Sequence, residues 1–264
     1  MKLSELHPVF YHARIKQFQL TRSLRDLISR NKFARDLVHK DLPYSCKKHQ
    51  SLLRRKLGQS DPMLQENKII NLQLAVKQLN GVCIRPGETF SFWKLVGKTT
   101  AKRGYIKGLL LSQGKVITGV GGGICQLANL LYWMGLHTPL QIVERHHHHF
   151  DPFPDDHRVL PFGSGASVFY NYIDLRMHNP TDQTFQFRVW LTDEHLRGVV
   201  FSDQQLCYSY HIKEKKHRFS RVGEKTYREN EIWRDVIDKR TGNTIKEEML
   251  IANFSEVKYE VEVV

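Results

Sequence analysis

The run Gly119-Val120-Gly121-Gly122-Gly123-Ile124-Cys125-Gln126-Leu127-Ala128-Asn129-Leu130-Leu131-Tyr132 constrains this chain more than any other stretch. Glycines free the backbone up to residue 123. The apolar residues that follow recur at helical spacing and predict a buried helix over 124–135. One cysteine, Cys125, is thereby delivered to a helix first turn. That end carries roughly +0.5 of an elementary charge and favours a thiolate over a thiol. The bare backbone admits a close substrate, and the amides around Gly122, Gly123, Ile124 and Cys125 are candidate donors to an oxyanion.

Further on, Glu144-Arg145-His146-His147-His148-His149 supplies candidate bases. If this segment is extended, His146 and His148 share one face, and His147 and His149 the other. His148 is the first candidate base and His146 the second. Arg145 is a candidate fork for a substrate carboxylate. Gln126 is a candidate side-chain donor, and Asp174 a candidate group to orient a histidine. A thiolate, a base, oxyanion donors and an orienting acid are the parts of cysteine-dependent acyl transfer. Two bland alternatives stand beside this reading: a free cysteine is often a small buried hydrophobe, and a glycine run is often only a turn. Two same-face histidines with Cys125 would make three zinc ligands, but no spaced pattern such as H-E-x-x-H is present, and neither metal nor cofactor is expected.

The rest of the chain reads as α+β, helices first and strands later. Residues 1–60 read as a basic helical N-terminal region, with Ile15, Phe18, Leu24, Leu27 and Ile28 spaced along one face. This pattern suits a helix packed on the main body or one lying at a membrane interface. Residues 55–62 read as a linker. A helix is expected at 67–79, a turn at 85–88, a strand at 89–93 and a glycine-punctuated loop through 97–114. Strands are expected from 141, over 166–175 and over 184–191. The remainder, 196–264, is β-like with a hairpin at 239–243.

With 264 residues and 41% hydrophobic content the chain can bury a sizeable core. Forty Lys+Arg against 27 Asp+Glu leave a net charge of +13. That balance favours anionic partners, such as an anionic membrane surface, while no nucleic-acid module is visible. Four dispersed cysteines make no disulfide framework, and neither a signal-peptide pattern nor an apolar span is seen. The expected location is therefore the cytoplasm or its membrane face.

Asn80-Gly81, the run from Pro86 to Phe92, Gly97, Gly104-Tyr105, Gly121 to Gln126, Glu144-Arg145-x-x-His148, Gly163, Ala166, Val168 and Asp174 together resemble the VanW family. The resemblance covers roughly 67–180 and implies a core there that carries the site, with 181–264 a β-rich C-terminal extension. It implies a link to bacterial cell-wall metabolism and glycopeptide resistance. It further implies an L,D-transpeptidase-like activity on peptidoglycan peptides, with Cys125 as nucleophile. The alternative is a non-catalytic accessory protein that binds wall precursors or the membrane face. Where many relatives carry an acid before Ala166, this chain has Gly165.

Overall fold

The computed structural model describes residues 8–54, 61–112, 115–147, 150–151, 154–155 and 159–261. Its elements run α1 (Pro8–Ile28), β1 (Lys32–Phe33), β2 (Tyr44–Leu52), α2 (Met63–Lys77), β3 (Val82–Ile84), β4 (Glu88–Ser91), α3 (Phe92–Val96), β5 (Lys107–Ser112), β6 (Lys115–Val120), α4 (Cys125–Gly135), β7 (Gln141–Glu144), β8 (Phe150–Asp151), β9 (Arg176–His178), β10 (Phe185–Leu191), β11 (His195–Ser202), β12 (Tyr208–Val222), β13 (Lys225–Asp238) and β14 (Thr244–Val257). The class is α+β, as the sequence predicts.

α4 is buried nearly all round, through Leu127, Ala128, Leu130, Leu131, Tyr132, Trp133 and Met134. A helix without a polar face belongs inside. It lies on a sheet of order β2-β11-β10-β3. Gly198 of β11 makes room for it: an added Cβ there would stand 2.6 Å from Met134 Cε and 2.9 Å from Leu130 Cδ2. At its C-terminal end Gly135 abuts Met177 of β9, in the sheet β1-β4-β9-β7. The helix that starts at Cys125 is thus held between two sheets. A third sheet, β12-β13-β14-β8, is built from the long antiparallel strands β12, β13 and β14, with the short β8 parallel to β14. The expected hairpin at 239–243 joins β13 to β14, with Asp238 Oδ1 accepting from the amides of Arg240 and Thr241 at 2.8 and 3.0 Å.

Several local expectations change. Helix α1 covers only 8–28, and the rest of the basic N-terminal region as far as Leu52 is strand and coil. β2 pairs antiparallel with the free edge of β11, from His195 opposite Leu52 to Ser202 opposite Tyr44. Pairing with a strand some 150 positions later is invisible to local periodicity. The strand expected at 89–93 stops at Ser91, whose hydroxyl caps α3 by accepting from the Lys94 amide at 3.3 Å. The loop expected through 97–114 contains β5, which pairs with β6. The aromatic run 166–175 is not a strand. Asn171 takes φ +56 and reverses the chain, leaving bridges at Ser167 and between Phe169 and Ile173. The reversal sets Tyr170 edge-on against Trp93 at 5.5 Å. β10, just past residue 180, pairs with β3, about a hundred positions earlier. Of the expected linker, only 61–62 falls within the described residues.

Candidate functional site

The glycine turn between β6 and α4 is built by backbone contacts that no side chain could share. A Cβ on Gly122 would stand 2.2 Å from the carbonyl carbon and oxygen of Gly108. Asn71 of α2 clamps the two segments. Its Nδ2 donates to Gly122 O at 2.9 Å and Ile106 O at 3.0 Å, and its Oδ1 accepts from Ile106 N at 2.9 Å. Gly123 takes φ +91 against the aliphatic stem of Lys68. The first turn of α4 leaves the amides of Gly123, Ile124 and Cys125 without a carbonyl acceptor among the described residues, as helix starts do.

Cys125 is half-buried, and its Sγ lies 3.7 Å from Val168 O. Burial pushes the thiol above its ordinary pKa, and no charged side chain among the described residues offsets it. The direction is opposite to the lowering expected at a helix start, because desolvation disfavours the charged form. Asn129, one turn further along α4, holds the chain beside Val168, its Oδ1 accepting from Ala166 N at 2.7 Å.

His146 reaches the same neighbourhood. Its carbonyl accepts from Ser167 N at 2.8 Å, one residue before Val168. Its Nε2 lies 3.0 Å from Glu144 Oε1, while its Nδ1 makes no hydrogen bond to a described residue. Glu144 in turn is gripped by Arg22 of α1, at 2.5 and 2.7 Å, and accepts from Asp174 N at 3.1 Å. Burial raises the Glu144 carboxyl, but the bonds from His146 and Arg22 outweigh it and hold the group below its ordinary value. His148, the first candidate base, lies outside the described residues, as does His149.

Asp174 does not orient a histidine among the described residues. Its carboxylate accepts from Ser91 Oγ at 2.5 Å, Trp93 N at 3.1 Å, Leu175 N at 3.0 Å and Arg176 Nε at 2.9 Å. Arg176 also forks onto Asp26 of α1 at 2.7 and 2.8 Å. The carboxylate beside a histidine is Glu144, two residues before His146 in the same short motif. Arg145 is spent on structure: it donates to the carbonyls of Gly163 and, at 2.8 Å, Gly165, and stacks over Tyr132. Gln126 ties the helix start to β2 through Ser51 Oγ and Leu52 O at 2.9 and 2.8 Å. The fork for a substrate carboxylate and the side-chain oxyanion donor are thus both occupied.

Among the described residues no three His, Cys, Asp or Glu side chains group so as to hold a metal. An open cleft of about 550 Å³ lies between Tyr132, β7 and the Arg234–Ile251 part of the C-terminal sheet. No residue of the glycine turn lines it. Sequence reasoning missed Asn71, Asn129, Arg22 and Asp26. Nothing in their local patterns marks them, because each acts on a segment distant in the chain.

The sequence model of the family described as VanW like protein matches residues 67–201. Vancomycin B-type resistance protein VanW of Enterococcus faecalis is 37% identical over 227 residues, covering 86% of this chain and 82% of that protein. This chain belongs to the VanW family. The matched VanW-family segment runs on into β11 as far as residue 201, which accords with β10 and β11 sharing a sheet with β3. The uncharacterized protein YoaR of Bacillus subtilis is 34% identical over 121 residues, 45% of this chain and 37% of that protein. No solved structure matches.

Proposed function

We propose that this VanW-family chain acts in bacterial cell-wall metabolism and glycopeptide resistance, as a cysteine-dependent acyl transferase on peptidoglycan peptides. The resistance role rests on the name of the 37% identical relative. One observation carries the chemistry: Cys125 Sγ lies against Val168 O, and the adjoining Ser167 pairs with His146, whose ring is held by Glu144. With burial raising the thiol, His146 serves as a general base rather than as half of a preformed ion pair.

As substrate approaches, the imidazole takes the Sγ proton and sulfur bonds to the acyl carbon. The carbonyl oxygen then carries the charge, facing the amides of Gly123, Ile124 and Cys125. The C–N bond breaks, and the imidazolium returns its proton to the departing amine. An acceptor amine next bonds to the acyl carbon and gives its proton to His146, the C–S bond breaks, and the imidazolium returns that proton to sulfur to regenerate the thiol. The test is mass spectrometry of the intact protein incubated with wall peptides. An acyl adduct mapped to Cys125, lost in Cys125→Ala and slowed in His146→Ala and Glu144→Gln, supports the reading. Equal adducts on every thiol overturn it.

A second reading, a non-catalytic protein that binds wall precursors, is favoured by the raised thiol and by the structural bonds that occupy Arg145, Gln126 and Asp174. Saturable binding of a wall peptide that is unchanged in Cys125→Ala, with no adduct, selects it.

A further inference from the structure

Helix α1 is amphipathic the wrong way round for a helix packed on a protein. Its inward face is ionic and polar. Arg22 grips Glu144, Asp26 pairs with Arg176 and Lys94, Gln19 donates to Tyr170 O at 3.0 Å, and Asn171 donates back to Ser23 Oγ at 3.0 Å. Phe18, at the edge of this face, stacks on Tyr172 with ring centres 5.9 Å apart. The opposite face carries Leu20, Leu24, Leu27 and Ile28. Their spacing puts them on one stripe, and they are 63%, 50%, 81% and 81% exposed. Phe10 continues the stripe toward the N-terminus and is 49% exposed. A contiguous exposed apolar stripe marks an interaction surface.

The charges beside the stripe say what covers it. Exposed Arg14, Lys16 and Arg25 flank the leucines, and exposed Arg30 follows the helix end. The one acid of α1, Asp26, faces inward and is already paired. A second copy of this chain on the stripe would bring two sets of cations together with no acid between them, which like-charge repulsion opposes. An anionic lipid surface meets both features: acyl chains take the leucines and headgroups take the cations. No helix among the described residues is long and apolar enough to cross a membrane.

We infer that the outer face of α1 is a docking surface for an anionic lipid bilayer, with the helix lying in the interface while its inner face stays bonded to the body. The bilayer-facing side chains are Leu20, Leu24, Leu27 and Ile28. The inner face holds Glu144, so a docked α1 fixes the orientation of the His146 segment relative to the bilayer. This inference does not rest on acyl transfer at Cys125.

The experiment is flotation of the full chain with vesicles of phosphatidylcholine alone and of phosphatidylcholine mixed with phosphatidylglycerol. The chain is expected to float with the anionic vesicles only, and less at high salt. The double variant Leu24→Ser/Leu27→Ser should weaken binding by at least ~10-fold. Arg25→Gln should weaken it about fivefold. Both alter exposed side chains, and unchanged thermal unfolding verifies the fold. Cys125→Ala should float like the parent, whatever the outcome of the acyl-trapping experiment. Equal flotation with neutral vesicles, or undiminished binding by the leucine variant, overturns the inference. So does a parent chain that elutes as a dimer which the leucine variant dissociates.

Discussion

Replacing Gly122 by alanine is expected to cost more stability than any ordinary glycine substitution in this protein. The new methyl carbon would stand 2.2 Å from the Gly108 carbonyl and 2.7 Å from its Cα. The obstacle is backbone, so no rotamer change relieves it, and β5 or the glycine turn must move. Overpacking of this kind costs about 1–3 kcal/mol, and the movement also stretches the buried bonds from Asn71 to Gly122 and Ile106, each worth about 1 kcal/mol. The sum is about 3–5 kcal/mol, or a fall in Tm of roughly 6–20 °C. Urea unfolding should show a lower midpoint with an unchanged slope. Gly223→Ala is the control. That residue has φ +62 but nothing within 4 Å, so it bears only the backbone cost of about 1 kcal/mol. If Gly122→Ala is no more destabilising than Gly223→Ala, the close approach of the two backbones at the head of α4 is refuted.

Three further outcomes follow from the same geometry. In native protein near neutral pH, iodoacetamide should modify exposed Cys207 before Cys46, Cys83 or Cys125, whose thiols burial pushes up; Cys125 labelling first would show a stabilised thiolate instead. Arg176→Met leaves Asp26 and Asp174 without their guanidinium and should cost about 3–5 kcal/mol in urea unfolding, together with faster proteolysis within α1; a loss under about 1 kcal/mol would contradict the buried network. Burial depresses the His137 imidazole to about 4, so the folded form resists the proton that the unfolded chain accepts near pH 6.5. Its contribution is therefore present above pH 6.5 and lost as pH falls toward 4, on the order of 3 kcal/mol in all. His137→Gln should flatten that acid limb of stability, and an unchanged limb would assign the acid loss to other groups.

Features resting on neighbours in the chain were legible in the sequence. The helix expected at 124–135 is α4 at Cys125–Gly135, because apolar periodicity and the glycine stop are both local. The same holds for the strand at 184–191 and the hairpin at 239–243. The residues 166–175 misled for a physical reason: their β-branched and aromatic side chains suit a pleated surface, yet one left-handed residue, Asn171, folds them back on Trp93. The tertiary structure alone decided the edge strand Tyr44–Leu52, whose partner lies in β11. It alone showed that Arg22 reaches Glu144 and that Asp26 reaches Arg176, pairs joined only when α1 docks across the turn at Asn171. The state of Cys125 divides the same way. Its place at a helix start is written in the glycine run and the apolar period. Its protonation is set by how much water the surrounding fold removes, and desolvation is a property of all the neighbours that close around the sulfur.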